Sequence, residues 1–428
     1  MQPIDAAVAI MAGLALTMTL FASWIRLHWV NEPLLALLLG VLVGPEVLGW
    51  FDLAAYGEEP KILEVVARYT LALALVVVGL ELRDYLAEHW RSLVVLVAGG
   101  TALMWGASSL IVRLILGLEP LEAILIGAVL APIDPILTAT VVTGPLARET
   151  LPDRLRHLLS AESAARHGLG LLVVLLPAFL LTKPDAEAWN DWLVHALLWK
   201  GLVAVVVGAL VGSVVGRVQA WSAGRGFAEA ETGPLVALFL ALSLAVGFVV
   251  ERMGSDGVLA VLAAGIAFAW TRTGEAKAAL ERQERLYEHL LKLVLQVPVF
   301  FLLGAALPWA EWEALGWRAP ALVVAVLLLR RIPAVLLLKP LVGDLRTGAE
   351  TLFVGWFGPM GIGALFFAAV AHEETENPEV WPVVTLLIAA SVVAHDLTAT
   401  PLSQWLARHR EALVTDPHRI TSSQNSRF

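Results

Sequence analysis

The chain has 428 residues, of which 58% are hydrophobic, and a mean hydropathy of +0.77. Soluble domains hold roughly 45 to 50% apolar residues even with glycine counted, so the composition is that of a polytopic, all-α membrane protein. Cysteine is absent, which excludes a disulfide framework, a thiolate nucleophile and a cysteine metal site. A formal net charge of −9, with no long basic block, argues against a nucleic-acid partner.

Taking about 17 to 25 mostly apolar residues as one span, the chain reads as about thirteen transmembrane helices. In order they cover Ile4–Ile25, Pro33–Gly49, Ile62–Leu82, Leu93–Leu116, Leu121–Gly144, Leu155–Leu181, His195–Val218, Pro234–Val250, Gly257–Trp270, Leu290–Pro308, Ala319–Leu338, Leu352–Ala371 and Val383–Leu402. No Lys or Arg precedes the first apolar run, so it reads as a retained helix and not a signal peptide. Alternate connections carry the positive charge: Arg83 and Arg91, Arg148 and Arg154, Arg217 and Arg225, then Arg272, Lys277, Arg282 and Arg285. The other connections are poor in Lys and Arg. The positive-inside rule then puts the N-terminus outside and the C-terminus in the cytoplasm. Gly274–His289 reads as an amphipathic helix on the cytoplasmic face, and residues 405–428 as a short cytoplasmic tail that anchors to that face.

Thirteen spans divide as six, one and six. Residues 1–404 then form one transmembrane domain with inverted repeats at about 4–181 and 234–402, joined by a linker helix at about 195–218. In that scheme the fifth span corresponds to the twelfth, and both are interrupted. The fifth contains Pro132-Ile133-Asp134-Pro135, and the twelfth contains Gly358-Pro359-Met360-Gly361-Ile362-Gly363. Paired interruptions in corresponding spans point to a midplane binding site. An acid at mid-bilayer costs roughly 2.5 to 3.5 kcal/mol, so Asp134 needs a cavity or a partner. Two readings stand: a transport site, or a kinked helix whose Asp134 caps freed backbone N–H groups.

The sixth span adds Glu162, Ser163, Arg166 and His167, with Glu162 and Arg166 four residues apart on one face and Ser163 and His167 on the next. The eleventh adds Arg330 and Arg331, and the third adds Glu81. A buried ion-pair network, with Glu162 facing Arg330 or Arg331, would hold such helices together. No P-loop, nucleophile elbow or metal triad is present in the sequence, so neither an enzyme nor a cofactor is expected.

The segments Ala131–Leu137 with Val141–Gly144, Arg154–Ser163, Phe300–Pro308, Leu329–Ala334 and Trp356–Phe366 resemble the bacterial monovalent cation:proton antiporters, the sodium/proton exchanger family. The resemblance covers nearly the whole chain in order. It implies two crossed broken helices in the sodium/proton antiporter fold, a homodimer in the bacterial inner (plasma) membrane, and exchange of sodium, potassium or lithium for protons by alternating access. It carries over Asp134 as the carboxylate that binds alkali cation and proton, Glu162 as the acid paired to an arginine of the eleventh span, Ser163 as a cation ligand and, more weakly, Glu81.

Three positions depart from the family pattern. Ile133 stands where the family has threonine, and Arg166-His167 where it has an asparagine-aspartate pair. Hard cations prefer oxygen ligands, by analogy with calcium and magnesium, so these changes remove ligands. An arginine beside Asp134 would favour the charged carboxylate, which would leave the proton to His167. Alternatives are therefore an anion transporter using Arg166, or a non-transporting sensor or assembly protein in which Asp134 and Arg166 are locked as an ion pair.

Overall fold

The computed structural model describes residues 13, 31–225, 232–271 and 296–415. Among them the regular structure is entirely helical. The helices are α1 (Glu32–Val43), α2 (Glu59–Val94), α3 (Gly100–Leu116), α4 (Pro120–Leu130), α5 (Pro135–Val142), α6 (Gly144–Thr150), α7 (Asp153–Thr182), α8 (Asp185–Asp191) and α9 (Ala204–Gly224). They continue with α10 (Thr232–Arg252), α11 (Gly257–Trp270), α12 (Val297–Ala305), α13 (Trp309–Leu315), α14 (Arg318–Leu329), α15 (Ile332–Leu338), α16 (Gly348–Trp356), α17 (Ile362–Thr375) and α18 (Val380–Thr415). Among the described residues six helical segments are long and apolar enough to cross a membrane, and α4 with α5, bent by 40° at their break, make a seventh if the pair is one span. The expected second and ninth spans are the shorter helices α1 and α11. The expected first span and the Gly274–His289 helix lie outside the described residues.

Prolines and polar caps place the breaks. Pro132 and Pro135 withhold two backbone donors within four residues, so the ladder stops at Leu130 and restarts at Pro135, where proline suits the first helical position. In the twelfth expected span the helix stops at Trp356 and restarts at Ile362, across Phe357–Gly361. The eleventh contains a break that the sequence reading did not anticipate. Pro333 removes the donor that would bond Leu329, and α14 ends there, leaving Arg330 and Arg331 between α14 and α15.

Two helices run on well past the expected ends of their spans. α2 runs past the expected end at Leu82 to Val94, with a non-helical kink at His89, and a π-helical segment, Val95–Gly99, joins it to α3. At the other end, α18 carries the last expected span on to Thr415, so the first part of the tail is a continuation of that helix. Leu406 is fully buried and Arg410 Nε lies 3.9 Å from Glu350 Oε1, which supplies packing and a counter-charge for the extension.

A single large apolar core joins α1 to α8, α12, α14 and α16 to α18, while a second cluster gathers α9, α10 and α11 against one side of α2. The interrupted helices lie inside the first core. Every residue from Ala123 to Leu137 except Ile124 is buried, as is every residue from Phe357 to Ala369.

Candidate functional site

Asp134 is 2% exposed and is the N-cap of α5. Its Oδ1 accepts from the N–H groups of Ile136 at 2.9 Å and Leu137 at 2.8 Å. Its Oδ2 accepts from the Gly363 N–H at 2.8 Å, in the first turn of α17. The Asp134 N–H in turn donates to Pro359 O at 2.9 Å, which ties the two interruptions together through the backbone. The carboxylate therefore sits at the N-termini of two half-helices, where the unpaired N–H groups carry partial positive charge.

Arg330 supplies the opposite charge to the opposite ends. Its Nη1 donates to Leu130 O, the last residue of α4, and its Nη2 to Gly358 O, just past α16. Four half-helix ends at the crossing are thus matched by one acid and one base. Arg330 takes no part in the ion pair with Glu162 that the sequence allowed.

That pair belongs to Arg331. Its Nη1 and Nη2 donate to Glu162 Oε1 and Oε2, both at 2.9 Å, and its Nε donates to Val354 O at 2.8 Å. Glu162 is completely buried and also accepts from Arg166 Nη2 at 2.7 Å. The arrangement is a buried Arg–Glu–Arg triad on α7 and the α14–α15 break. Gly358 lets Arg331 through, since a Cβ there would stand 2.1 Å from Arg331 Cδ.

The expectation that Arg166 lies on Asp134 is corrected. The Arg166 guanidinium is held by Glu162, by Leu96 O at 2.6 Å and by Met104 Sδ at 2.9 Å. Two causes act together. Glu162 is one turn back on the same helix face, and the wide turn of Val95–Gly99 turns a carbonyl of its own toward α7. The partners of the Asp134 carboxylate are backbone N–H groups, so the Asp134–Arg166 lock required by a non-transporting reading is not among the described contacts.

His167 does reach the crossing. It is 2% exposed and tilted against the Phe367 ring, with centroids 4.9 Å apart. Its Nδ1 and Asp134 Oδ2 both lie within 4 Å of the point that a Cβ on Gly363 would occupy. A side chain at Gly361 would meet the same carboxylate oxygen at 2.9 Å. Neither ring nitrogen of His167 has a hydrogen-bond partner among the described residues. Ser163 is buried one turn away and donates to Ser160 O at 2.9 Å. Ile133 packs in a small apolar cluster with Met104 and Ala334. The Glu81 side chain lies outside the described residues.

The sequence reading passed over Ser391 and His395 of α18. Ser391 Oγ accepts from the Met360 N–H at 2.8 Å, and His395 Nε2 lies 3.0 Å from Trp356 O. Both hold the interruption between α16 and α17. Their signal was legible as a polar pair four residues apart in an apolar run. Asp396, also buried on α18, accepts instead from the Leu34 N–H at 3.2 Å, at the start of α1.

A cavity of about 530 Å³ opens where α2 begins and α17 ends, lined by Glu58, Glu59, Glu64, Glu373 and Glu376 against one lysine, Lys61. On α17, Phe367 packs on the His167 ring and on Phe366, and Arg68 covers the Phe366 ring at 5.9 Å.

Residues 11–405 match the family described as sodium/hydrogen exchanger, transmembrane. The chain belongs to the sodium/hydrogen exchanger family. It is a multi-pass membrane protein with the antiporter fold. It is 31% identical over 399 residues to Na(+)/H(+) antiporter 2 of Zygosaccharomyces rouxii, covering 86% of this chain and 48% of that one. It is 30% identical over 434 residues to the Na(+)/H(+) antiporter of Saccharomyces cerevisiae, covering 93% of this chain and 43% of that one. The chain thus spans about half the length of these two relatives and of a probable Na(+)/H(+) antiporter of Schizosaccharomyces pombe. In fold it matches the sodium proton antiporter MjNhaP1 from Methanocaldococcus jannaschii with a TM-score of 0.69 at 20% identity, covering 95% of this chain and 100% of that one.

Proposed function

We propose that the chain exchanges a monovalent cation for protons by alternating access, with Asp134 binding the two in turn. The observation that carries this reading is a buried carboxylate whose partners are backbone N–H groups, at the meeting point of two interrupted helices. Backbone donors fix its position without a neutralising side chain, so a small cation or a proton is the natural counter-charge. The acidic cavity beside α17 favours cations over anions at the approach. Arg166 is spent on Glu162, which leaves the anion reading without a free guanidinium.

In this scheme Asp134 releases its proton to one side, takes a cation, and carries it across as the crossing is exposed to the other side. Glu162, Arg166 and Arg331 keep α7 fixed to its neighbours, while His167 and Ser163 face the ion. The inverted repeats at about 4–181 and 234–402 would supply the two moving halves, in a homodimer with the N-terminus outside and the C-terminus in the cytoplasm.

The test is a pH-sensitive dye sealed in vesicles that contain the purified chain. Sodium, potassium or lithium added outside is expected to move protons, and Asp134→Asn is expected to abolish the movement while insertion is kept, since removing a mid-membrane charge favours insertion. Wild-type flux in that variant would make Asp134 a structural cap.

A further inference from the structure

We infer that His167 tunes the site toward a cation that donates hydrogen bonds, ammonium, over an alkali ion of the same charge. The inference rests on the exchange reading for its location, but its test does not depend on transport. His167 stands at the crossing where the family resemblance puts an aspartate, and its two ring nitrogens are buried without a partner among the described residues. A neutral imidazole presents one directional lone pair and one N–H. A hard alkali ion gains little from that nitrogen, because it binds through oxygens.

Ammonium can use the lone pair. His167 Nδ1 and Asp134 Oδ2 border the same side of Gly363, 2.6 and 3.8 Å from the point a Cβ there would occupy. An ammonium ion admitted between them as the crossing opens would have one N–H bond for the imidazole and another for the carboxylate. The neighbouring side chains add little for a metal ion. Ile133 is apolar and packed against Met104 and Ala334, and the Ser163 hydroxyl donates to its own helix. A divalent transition metal is disfavoured too, as no group of three His, Cys, Asp or Glu capable of holding one occurs among the described residues. The Phe367 ring against His167 restricts its rotation, which keeps the nitrogen aimed at the crossing.

The experiment measures the unfolding temperature of the full-length chain in detergent against rising ammonium, potassium, sodium or choline chloride, at fixed pH and ionic strength. Potassium is the decisive control because it matches ammonium in charge and nearly in size but has no N–H. Ammonium is expected to stabilise at concentrations about tenfold lower than potassium, the ratio that one added hydrogen bond to a charged ligand provides. His167→Phe should erase the difference, His167→Asp should reverse it, and Asp134→Asn should remove stabilisation by both cations. Equal midpoints for ammonium and potassium in the native chain would overturn the inference, even if no variant folds. So would an ammonium preference that survives His167→Phe. Ammonium-selective binding without cation-driven proton movement would defeat the exchange reading alone, and exchange without ammonium preference would defeat this inference alone.

Discussion

Glu162 is the residue on which the charged side chains of the crossing depend. It faces two guanidinium groups, so its loss leaves two buried cations without an acidic partner, whereas the loss of Arg166 leaves Glu162 still gripped at both oxygens by Arg331. Breaking a buried ion pair costs about 3 to 5 kcal/mol. Glu162→Gln is therefore expected to lower the thermal stability of the purified chain far more than Arg166→Met, and a melt by scanning fluorimetry in detergent compares them directly. Equal losses would mean that Leu96 and Met104, not Glu162, are what hold Arg166. The same asymmetry makes Arg166→Asn a workable step in restoring the family pattern, because Glu162 keeps a partner.

At the scale of the helix, the interruption between α16 and α17 is held from α18. The Met360 N–H is buried against Ser391 Oγ, and the carbonyl that ends α16 faces His395. An unpaired buried donor costs about 1 to 3 kcal/mol, enough to let the α17 N-terminus drift from Asp134. Ser391→Ala is expected to reduce exchange about tenfold and to shift its cation dependence, while Ser391→Thr, which keeps the hydroxyl, restores most of the rate. A merely destabilised variant would lose folded protein in proportion to activity, so rate per folded molecule is the quantity to compare. If Ser391→Ala and Ser391→Thr are equally slow, side-chain volume governs the position and the hydrogen bond does not.

For the whole molecule, the charge asymmetry of the connections predicts an orientation that can be tested chemically, because the chain contains no cysteine of its own. A cysteine introduced within 372–379 is expected to react with an impermeant thiol reagent added outside intact cells, and one within 276–284 is not. The reverse labelling would overturn the span count and would put the acidic cavity on the inner face, where the expected orientation puts it on the outer one. The cavity enters this argument because His372, Glu373 and Glu376 line it.

The apolar character of the spans, the two interruptions and the place of Asp134 at one of them were legible in the amino-acid order, because each follows from local chemistry: hydrophobic length, missing proline donors and the cost of a mid-membrane acid. The pairing of Glu162 with an arginine of the eleventh span was legible for the same reason, as a buried acid must meet a base. Which base was not legible, nor was the distribution of the three arginines. Arg330 and Arg331 are adjacent in the chain, yet one neutralises helix ends and the other an acid, and only the break at Pro333 sets them facing different neighbours. Arg166 turned away from Asp134 because Leu96 lies in a π-helical turn that places its carbonyl against α7. His167 was left with two unpaired nitrogens beside the carboxylate. Contacts of this kind depend on where distant segments come to rest, and that is decided by packing across the core, not by spacing along the chain.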